Sequence, residues 1–245
     1  MSKSLVTALP STSVHVVMPC AGVGARAGAG QPKQYAAVAG RPLVAHTLTA
    51  FEQFEGLGRL VVVLAPDDTA WPLAASHCEL LYEGGDSRAV SVRAGLRHLL
   101  QTGATADDWV MVHDAARCLL QVDDLRRLVE ACQADGVGGL LALPLPDTLK
   151  QADGAGRVAQ TLTRHDKWLA QTPQMFRLGA LEHALSGDLH GVTDEASAME
   201  RTGVAPVLVR GSTMNFKVTY PSDFALAEAV LRSRSLGSTR KETCS

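Results

Sequence analysis

Short continuous apolar runs alternate with helix-patterned segments along this chain, and that rhythm restricts the fold more than any other feature. The runs are VHVVMPC (14–20), RLVVVLA (59–65), ELLY (79–82), WVMVH (109–113) and GGLLALP (138–144). A strand can be apolar on successive residues only if both its faces are covered, as in a parallel sheet with helices on either side. Between the runs, residues 86–100 place Val92, Leu96, Leu99 and Leu100 on one helical face, with Asp86 or Ser87 able to cap the start. Residues 122–132 repeat the pattern with Val122, Leu125, Val129 and Cys132. Residues 221–232 do so with Phe224, Ala227 and Leu231, behind Pro221 at the first helical position. The stretch TDEASAM (193–199) begins with a capping residue and two acids, as a helix N-terminus does. The expected class is α/β, with a mostly parallel sheet and helices on both faces.

Residues 147–163 (DTLKQADGAGRVAQTLT) break the rhythm. They predict two short strands around the turn Asp153-Gly154-Ala155-Gly156, and they carry few large apolar residues, so the hairpin is expected to project from the core. A projecting hairpin often finds its burial against another subunit, and that is the expectation for this one. The ends, 1–12 and 234–245, are polar and expected to be loose, which leaves 13–233 as a single domain.

Length and composition exclude several classes. A chain of 245 residues, 46% hydrophobic and 20% charged, can bury a sizeable core. A formal net charge of -2 and three scattered tryptophans offer neither a basic stripe nor a stacking platform for nucleic acid. No apolar run approaches the ~20 residues of a membrane span. Five cysteines, Cys20, Cys78, Cys118, Cys132 and Cys244, form no CxxC pair, which argues against a zinc site. The polar, Pro-broken start MSKSLVTALPSTS lacks a secretory pattern. The expectation is a reduced, cytoplasmic protein.

The stretch MPCAGVGARAGAGQPKQY (18–35) joins glycines to the cations Arg26 and Lys33 directly after a strand. Gly22-Val23-Gly24-Ala25-Arg26-Ala27 formally matches the dinucleotide-binding turn. However, residues 25–34 have little apolar face and hold Gly28, Gly30 and Pro32, and no acid ends a second strand at the required distance. The Walker pattern fails as well, because Lys33 follows proline and Gln34 stands where Ser or Thr would hold magnesium. What remains is a long loop whose glycines let the backbone approach a ligand and whose cations can neutralise a polyphosphate. A solvated surface loop with incidental charges is the bland alternative.

Seven motifs in order give this loop a context: PCAGVGAR…PKQY, EGGDSRAVSVRAGL, VHDAAR, DTLK, QTPQMF, TDEASAME and NFKVTYPSDFALAE. Across 14–232 the chain resembles the 2-C-methyl-D-erythritol 4-phosphate cytidylyltransferases. It departs from them at Cys118, Pro146 and Thr163, where the family usually has proline, a polar residue and aspartate. The resemblance implies a Rossmann-like nucleotidyltransferase fold with the hairpin (about 147–164) as a dimerisation arm that crosses to a partner subunit.

It also implies a reaction in which CTP and the polyol phosphate give the cytidine diphosphate derivative and pyrophosphate. A phosphate oxygen attacks the α-phosphorus of CTP, and because that oxygen is already anionic, no general base is required. Charge stabilisation and positioning then dominate. By resemblance, Arg26, Lys33, Arg164 and Lys217 carry the catalysis. Ala21, Gly22, Gly24, Gly85, Asp86, Ser91 and Asp114 bind the nucleotide, and Arg117, Thr148, Thr193 and Thr219 hold the polyol phosphate. Magnesium or another divalent cation is expected on the triphosphate, with Asp114 as its candidate protein contact. On the residues alone, Asp114 can be a helix cap, Asp86 likewise, Lys217 an edge-strand surface lysine, and His113 a structural strand-end residue.

Two rivals share the fold. A ribitol-5-phosphate cytidylyltransferase differs only in contacts to one methyl and several hydroxyls. A non-catalytic nucleotide-binding regulator would have no need of Arg26, Lys33, Asp114, Arg164 and Lys217 together, because a sensor does not stabilise a transition state.

Overall fold

A computed structural model describes residues 13–22, 32–73 and 77–242. The strands β1 (Val14–Pro19), β4 (Leu57–Val63), β5 (Glu79–Leu81), β6 (Trp109–Val112), β7 (Gly138–Pro144), β10 (Trp168–Arg177) and β11 (Val207–Arg210) form one sheet in the order β11-β7-β10-β6-β1-β4-β5. The pairs β1–β4, β1–β6, β4–β5 and β7–β11 are parallel, and β10 runs antiparallel to both β6 and β7. Two short strands, β2 (Ala37–Val38) and β3 (Arg41–Pro42), pair on their own, and so do β8 (Leu149–Ala152) and β9 (Val158–Leu162).

Alternate residues of the central strands enter two separate cores, which explains the unbroken apolar runs. Val16, Met18, Val62, Trp109 and Met111 pack on one face with α1 (Leu43–Glu52) and α3 (Val122–Asp135). Val17, Val61, Val63, Val110 and Val112 pack on the other with α2 (Arg88–Gln101) and α4 (Leu178–Ala184). Phe51, Trp109 and Phe176 are among the largest fully buried side chains. Each such side chain contributes about 1.5–3 kcal/mol on leaving water. Gly95 lets α2 lie against the sheet, since a Cβ there would meet Val17 Cγ1 at 2.6 Å.

The helix signals hold in kind and shift in detail. Ser87, not Asp86, caps α2, accepting from Val90 N. The short helix α5 (Glu195–Glu200) is capped by Asp194, which accepts from Ser197 N, so the first capping residue of TDEASAM stands one place outside the cap. The helix α6 (Pro221–Glu242) runs well past residue 234, where a loose end was expected. Arg234 fastens that stretch by donating to the Leu119 carbonyl at 3.0 Å. Phe224, Ala227 and Leu231 face a third small core with Leu43, Leu119 and Val218, as their spacing predicts.

Two strands of the main sheet were not foreseen, nor was the short pair β2–β3. The segment containing QTPQMF is the middle of β10, although Gln171, Thr172 and Gln174 are polar, because their side chains find partners inside. Pro173 falls where the pairing with β7 is irregular, between Ala170 and Gln174, so its missing N–H breaks no ladder bond. The edge strand β11 is too short to announce itself. The hairpin β8–β9 forms where it was expected, and every residue of β9 is exposed.

Candidate active site

The carboxyl ends of β1 and β6 and the segment leading from β5 into α2 enclose a cleft of about 330 Å³. Ligands of open α/β sheets bind at this end of the strands. One wall is Pro19 to Gly22, and opposite stand Gly85 to Arg88 with Ser91. Asp114 to Ala116 form the floor, and Lys33, Gln34 and Lys217 complete the lining.

The wall contact between Ala21 and Gly84 requires glycine. A Cβ at Gly84 would stand 2.3 Å from Ala21 Cβ and 2.6 Å from the Leu64 carbonyl oxygen. Beside it, Gly85 N donates to Ser91 Oγ at 3.2 Å, and Ser91 Oγ donates to the Ser87 carbonyl at 3.1 Å, so a buried serine sets the turn ahead of α2. Peptide groups and one short hydroxyl thus line this side of the cleft.

Charge is layered beneath this lining. Asp114 Oδ1 accepts from Arg88 Nε at 2.8 Å, and Asp114 Oδ2 lies 2.8 Å from Lys217 Nζ and 3.9 Å from Arg117 Nε. Behind Arg88, Glu195 accepts two bonds from its guanidinium at 2.6 and 2.9 Å. Burial pushes the Asp114 carboxyl up, but Arg88, Lys217 and Arg117 outweigh it and hold that carboxyl far below the usual carboxylate range. Burial likewise works against the Arg88 charge, and Glu195 and Asp114 reverse the balance, so the guanidinium stays charged. Burial lifts the Glu195 carboxyl despite Arg88. Lys33 approaches from the other side, its Nζ donating to the Val218 carbonyl at 2.9 Å, one residue from Lys217.

His113 takes no part in proton transfer at this cleft. Its ring is fully buried; one nitrogen bonds Thr172 Oγ1 at 3.0 Å and the other faces the Arg117 carbonyl at 3.3 Å. Burial pushes its pKa down to about 3, so the ring is neutral and spent on structure, as the sequence suggested. Thr172 Oγ1 also accepts from Asp114 N at 3.1 Å, which ties the floor of the cleft to β10.

The cleft brings together Ala21, Gly22, Lys33, Gly85, Asp86, Ser91, Asp114 and Lys217. Arg26 and Gly24 lie outside the described residues. Arg117 sits under the floor, donating from Nη1 to the Asn215 carbonyl at 2.7 Å and so bracing the segment that carries Lys217. Thr219 follows that segment, with its hydroxyl donating to the Lys217 carbonyl at 3.2 Å. Thr193 is exposed just ahead of α5. Thr148 and Arg164 stand at the two feet of the hairpin, both exposed, and Arg164 Nη1 donates to the Pro146 carbonyl. Lys217 lies in an extended segment outside the sheet, not on an edge strand.

Arg88 and Glu195 were missed by sequence reasoning. Both fall inside quoted motifs, but 107 residues separate them, and neither motif alone says that they pair. Gln34 entered the sequence reading only as a failed magnesium ligand, yet it is 4% exposed and bonded to the Cys20 and Gly22 carbonyls of the first wall.

The model of the family described as "IspD: 2-C-methyl-D-erythritol 4-phosphate cytidylyltransferase" matches residues 14–233. A 2-C-methyl-D-erythritol 4-phosphate cytidylyltransferase of Laribacter hongkongensis is 56% identical over 221 residues, covering 88% of this chain and 94% of the relative. A bifunctional enzyme IspD/IspF of Albidiferax ferrireducens is 57% identical over 224 residues, covering 90% of this chain; the match spans 53% of that relative's length. A crystal structure of 4-diphosphocytidyl-2C-methyl-D-erythritol synthase superposes with a TM-score of 0.78 at 37% identity, covering 89% of this chain and 98% of the other.

Proposed function

The chain belongs to the 2-C-methyl-D-erythritol 4-phosphate cytidylyltransferase family, and from that premise we propose its reaction in detail. It transfers a cytidylyl group from CTP to 2-C-methyl-D-erythritol 4-phosphate, giving 4-diphosphocytidyl-2-C-methyl-D-erythritol and pyrophosphate. The observation that carries the reading is the cleft in which Lys33 and Lys217 meet over a floor set by Asp114 and Arg88. The Laribacter hongkongensis relative and the solved synthase carry methylerythritol names, which favours this acceptor over ribitol 5-phosphate.

The acceptor's phosphate oxygen bonds to the α-phosphorus as the bond from that phosphorus to the bridging oxygen breaks, and pyrophosphate leaves with the electron pair. No proton has to move in that step. The difficulty is repulsion between two anions, and Lys33, Lys217 and Arg26 answer it with fixed charge. Lys217 is set between Asp114 and the cleft, so it reaches both phosphates without reorganising. The side of the cleft at Ala21, Gly85 and Ser91 takes the cytosine, with Asp86 beside it and the backbone of Gly22 against the phosphates.

A divalent cation fits this chemistry as a guest of the nucleotide. Among the described residues no group of three His, Cys, Asp or Glu could hold one, and Asp114 is a single carboxylate on the floor. The ion would draw most of its oxygens from the triphosphate, with Asp114 as its protein contact, and would supply neutralisation of the leaving pyrophosphate.

The acceptor is held by Arg117, Thr193 and Thr219 of one subunit, with Thr148 and Arg164 of a second copy of the chain. What supports a homodimer is exposed apolar surface on the arm and on the start of β10 behind it: Val158 is 65% exposed and Leu169 49%, with Leu162 and Trp168 also open. A second copy covers these residues. A cytoplasmic setting suits a CTP-consuming reaction, and no described helix is long and apolar enough to cross a membrane.

Pyrophosphate release, measured with each of the four nucleoside triphosphates against methylerythritol phosphate and ribitol 5-phosphate, tests the assignment. Fastest release with CTP and methylerythritol phosphate is expected. Faster release with ribitol phosphate, or none with either acceptor, would overturn it.

A further inference from the structure

Gln34 belongs to the short 3-10 turn Lys33–Tyr35 that follows the glycine loop. Its Nε2 donates to two carbonyls of the opposite wall, Cys20 at 2.8 Å and Gly22 at 2.9 Å. Both protons of one amide are therefore spent on peptide oxygens two residues apart, and the side chain is buried while still lining the cleft. The turn itself is anchored from behind. Tyr35 Oη donates to Asp68 Oδ2 at 2.5 Å, and the Tyr35 ring meets Trp71 edge-on at 5.8 Å. Gln34 is thus a rigid peg that fixes the distance between Lys33 and the Cys20–Gly22 wall.

The bonds also set which way that wall faces. In a trans peptide the C=O and N–H point in opposite directions, so holding the Cys20 carbonyl toward Gln34 turns the Ala21 N–H away from it. Capture of the Cys20 and Gly22 carbonyls keeps those two oxygens from turning toward a bound anion, which a backbone concavity holds with donors and not acceptors. Were the carbonyls released, their oxygens could turn toward the cleft and repel a triphosphate.

We propose that Gln34 is a positioning residue for the nucleotide: it clasps the Cys20–Gly22 wall to Lys33, and its loss weakens CTP binding while sparing the acceptor. The proposal rests on the cytidylyltransferase reading of the cleft. Glutamine suits this place better than any residue of its size. Glutamate would set a negative charge against two carbonyl oxygens, and methionine would leave both unbonded.

The test uses the full chain with Gln34→Met and Gln34→Glu. We measure KM for CTP and for methylerythritol phosphate separately, CTP binding without acceptor by calorimetry, and thermal unfolding. KM for CTP is expected to rise about tenfold in Gln34→Met, since two neutral hydrogen bonds are lost. It is expected to rise further in Gln34→Glu, with KM for the acceptor unchanged in both. If Gln34→Met does not fold, Gln34→Asn, which keeps the amide one carbon short, carries the same expectation. Unchanged KM for CTP, or equal rises in both KM values, would overturn the proposal while leaving the enzyme's identity intact. A wild-type chain that releases no pyrophosphate from CTP would overturn the underlying reading and this inference with it.

Discussion

Lys217 Nζ stands 2.8 Å from Asp114 Oδ2, in a salt bridge that joins the segment before α6 to the end of β6. Asp114 is buried and Lys217 remains 42% exposed, so the carboxylate is the fixed partner and the lysine the one that reaches out. The line continues inward through Arg88 to Glu195, alternating in sign at every step. In the proposed reaction a lysine held this way would lose little freedom when the triphosphate binds, and positioning is where such a reaction gains its rate.

Asp114→Asn should test that positioning. Asparagine keeps an acceptor for Arg88 Nε but no longer attracts Lys217. We expect kcat to fall about 10²-fold, as misplaced catalytic groups do. Pyrophosphate release at saturating substrates measures it, and undiminished turnover would show that the bridge does not position Lys217.

The pair behind it should matter more for stability. Glu195→Gln leaves Arg88 charged, largely enclosed and with one fewer anion. Breaking such a pair costs about 3–5 kcal/mol, because the remaining charge is uncompensated. A clear loss in denaturant midpoint is expected. The double change Arg88→Met with Glu195→Leu should recover much of the stability but not the activity, since Asp114 loses its Arg88 contact.

A pH effect is expected away from the cleft. Arg59 bonds both oxygens of Glu79 at 2.6 and 2.5 Å, His98 adds a third contact at 3.1 Å, and the carboxyl is lowered to about 2, chiefly by Arg59. A depressed pKa means stability that is present above the unfolded value of about 4.3 and is lost as pH falls through the folded one. Glu79→Gln should therefore unfold at lower temperature than wild type at neutral pH, and the gap should close as the solution is acidified. Because Glu79 is 41% exposed, the effect is small. A gap that is constant with pH would contradict the assignment.

Shared sites can be tested by complementation. Arg164→Ala and Lys217→Ala chains should each be nearly inactive, and a mixture should regain activity through heterodimers with one intact site. No recovery, with subunit exchange verified by mass, would show that the arm serves its own subunit.

The parallel core was legible because Val16, Val17, Met18 and their neighbours are apolar on both faces, a pattern few other folds produce. Antiparallel β10 was hidden because Gln174 looks like a loop residue until its partners are known: its Nε2 donates to Asp194 Oδ2 at 2.8 Å and its Oε1 accepts from Ala196 N at 2.7 Å. Those partners lie 20 and 22 residues away, beyond the reach of local patterning. In the site, Lys33, Asp114 and Lys217 were visible through motifs that bring whole segments with them. Arg88 and Glu195 were not, because their pairing exists only after α2 and α5 dock on the same sheet face. The extent of α6 was underestimated for a simpler reason: its last turns carry serines, a glycine and several charges, and no apolar stripe marks them as helix.

In the proposed reaction, fixed positive charge brings two phosphate esters together without a proton acceptor. Pyrophosphate release by a Lys33→Met, Lys217→Met double variant, with the fold checked by circular dichroism, tests it most directly. Release is expected to fall close to the uncatalysed rate with both substrates saturating; release at the wild-type rate would refute the proposed mechanism.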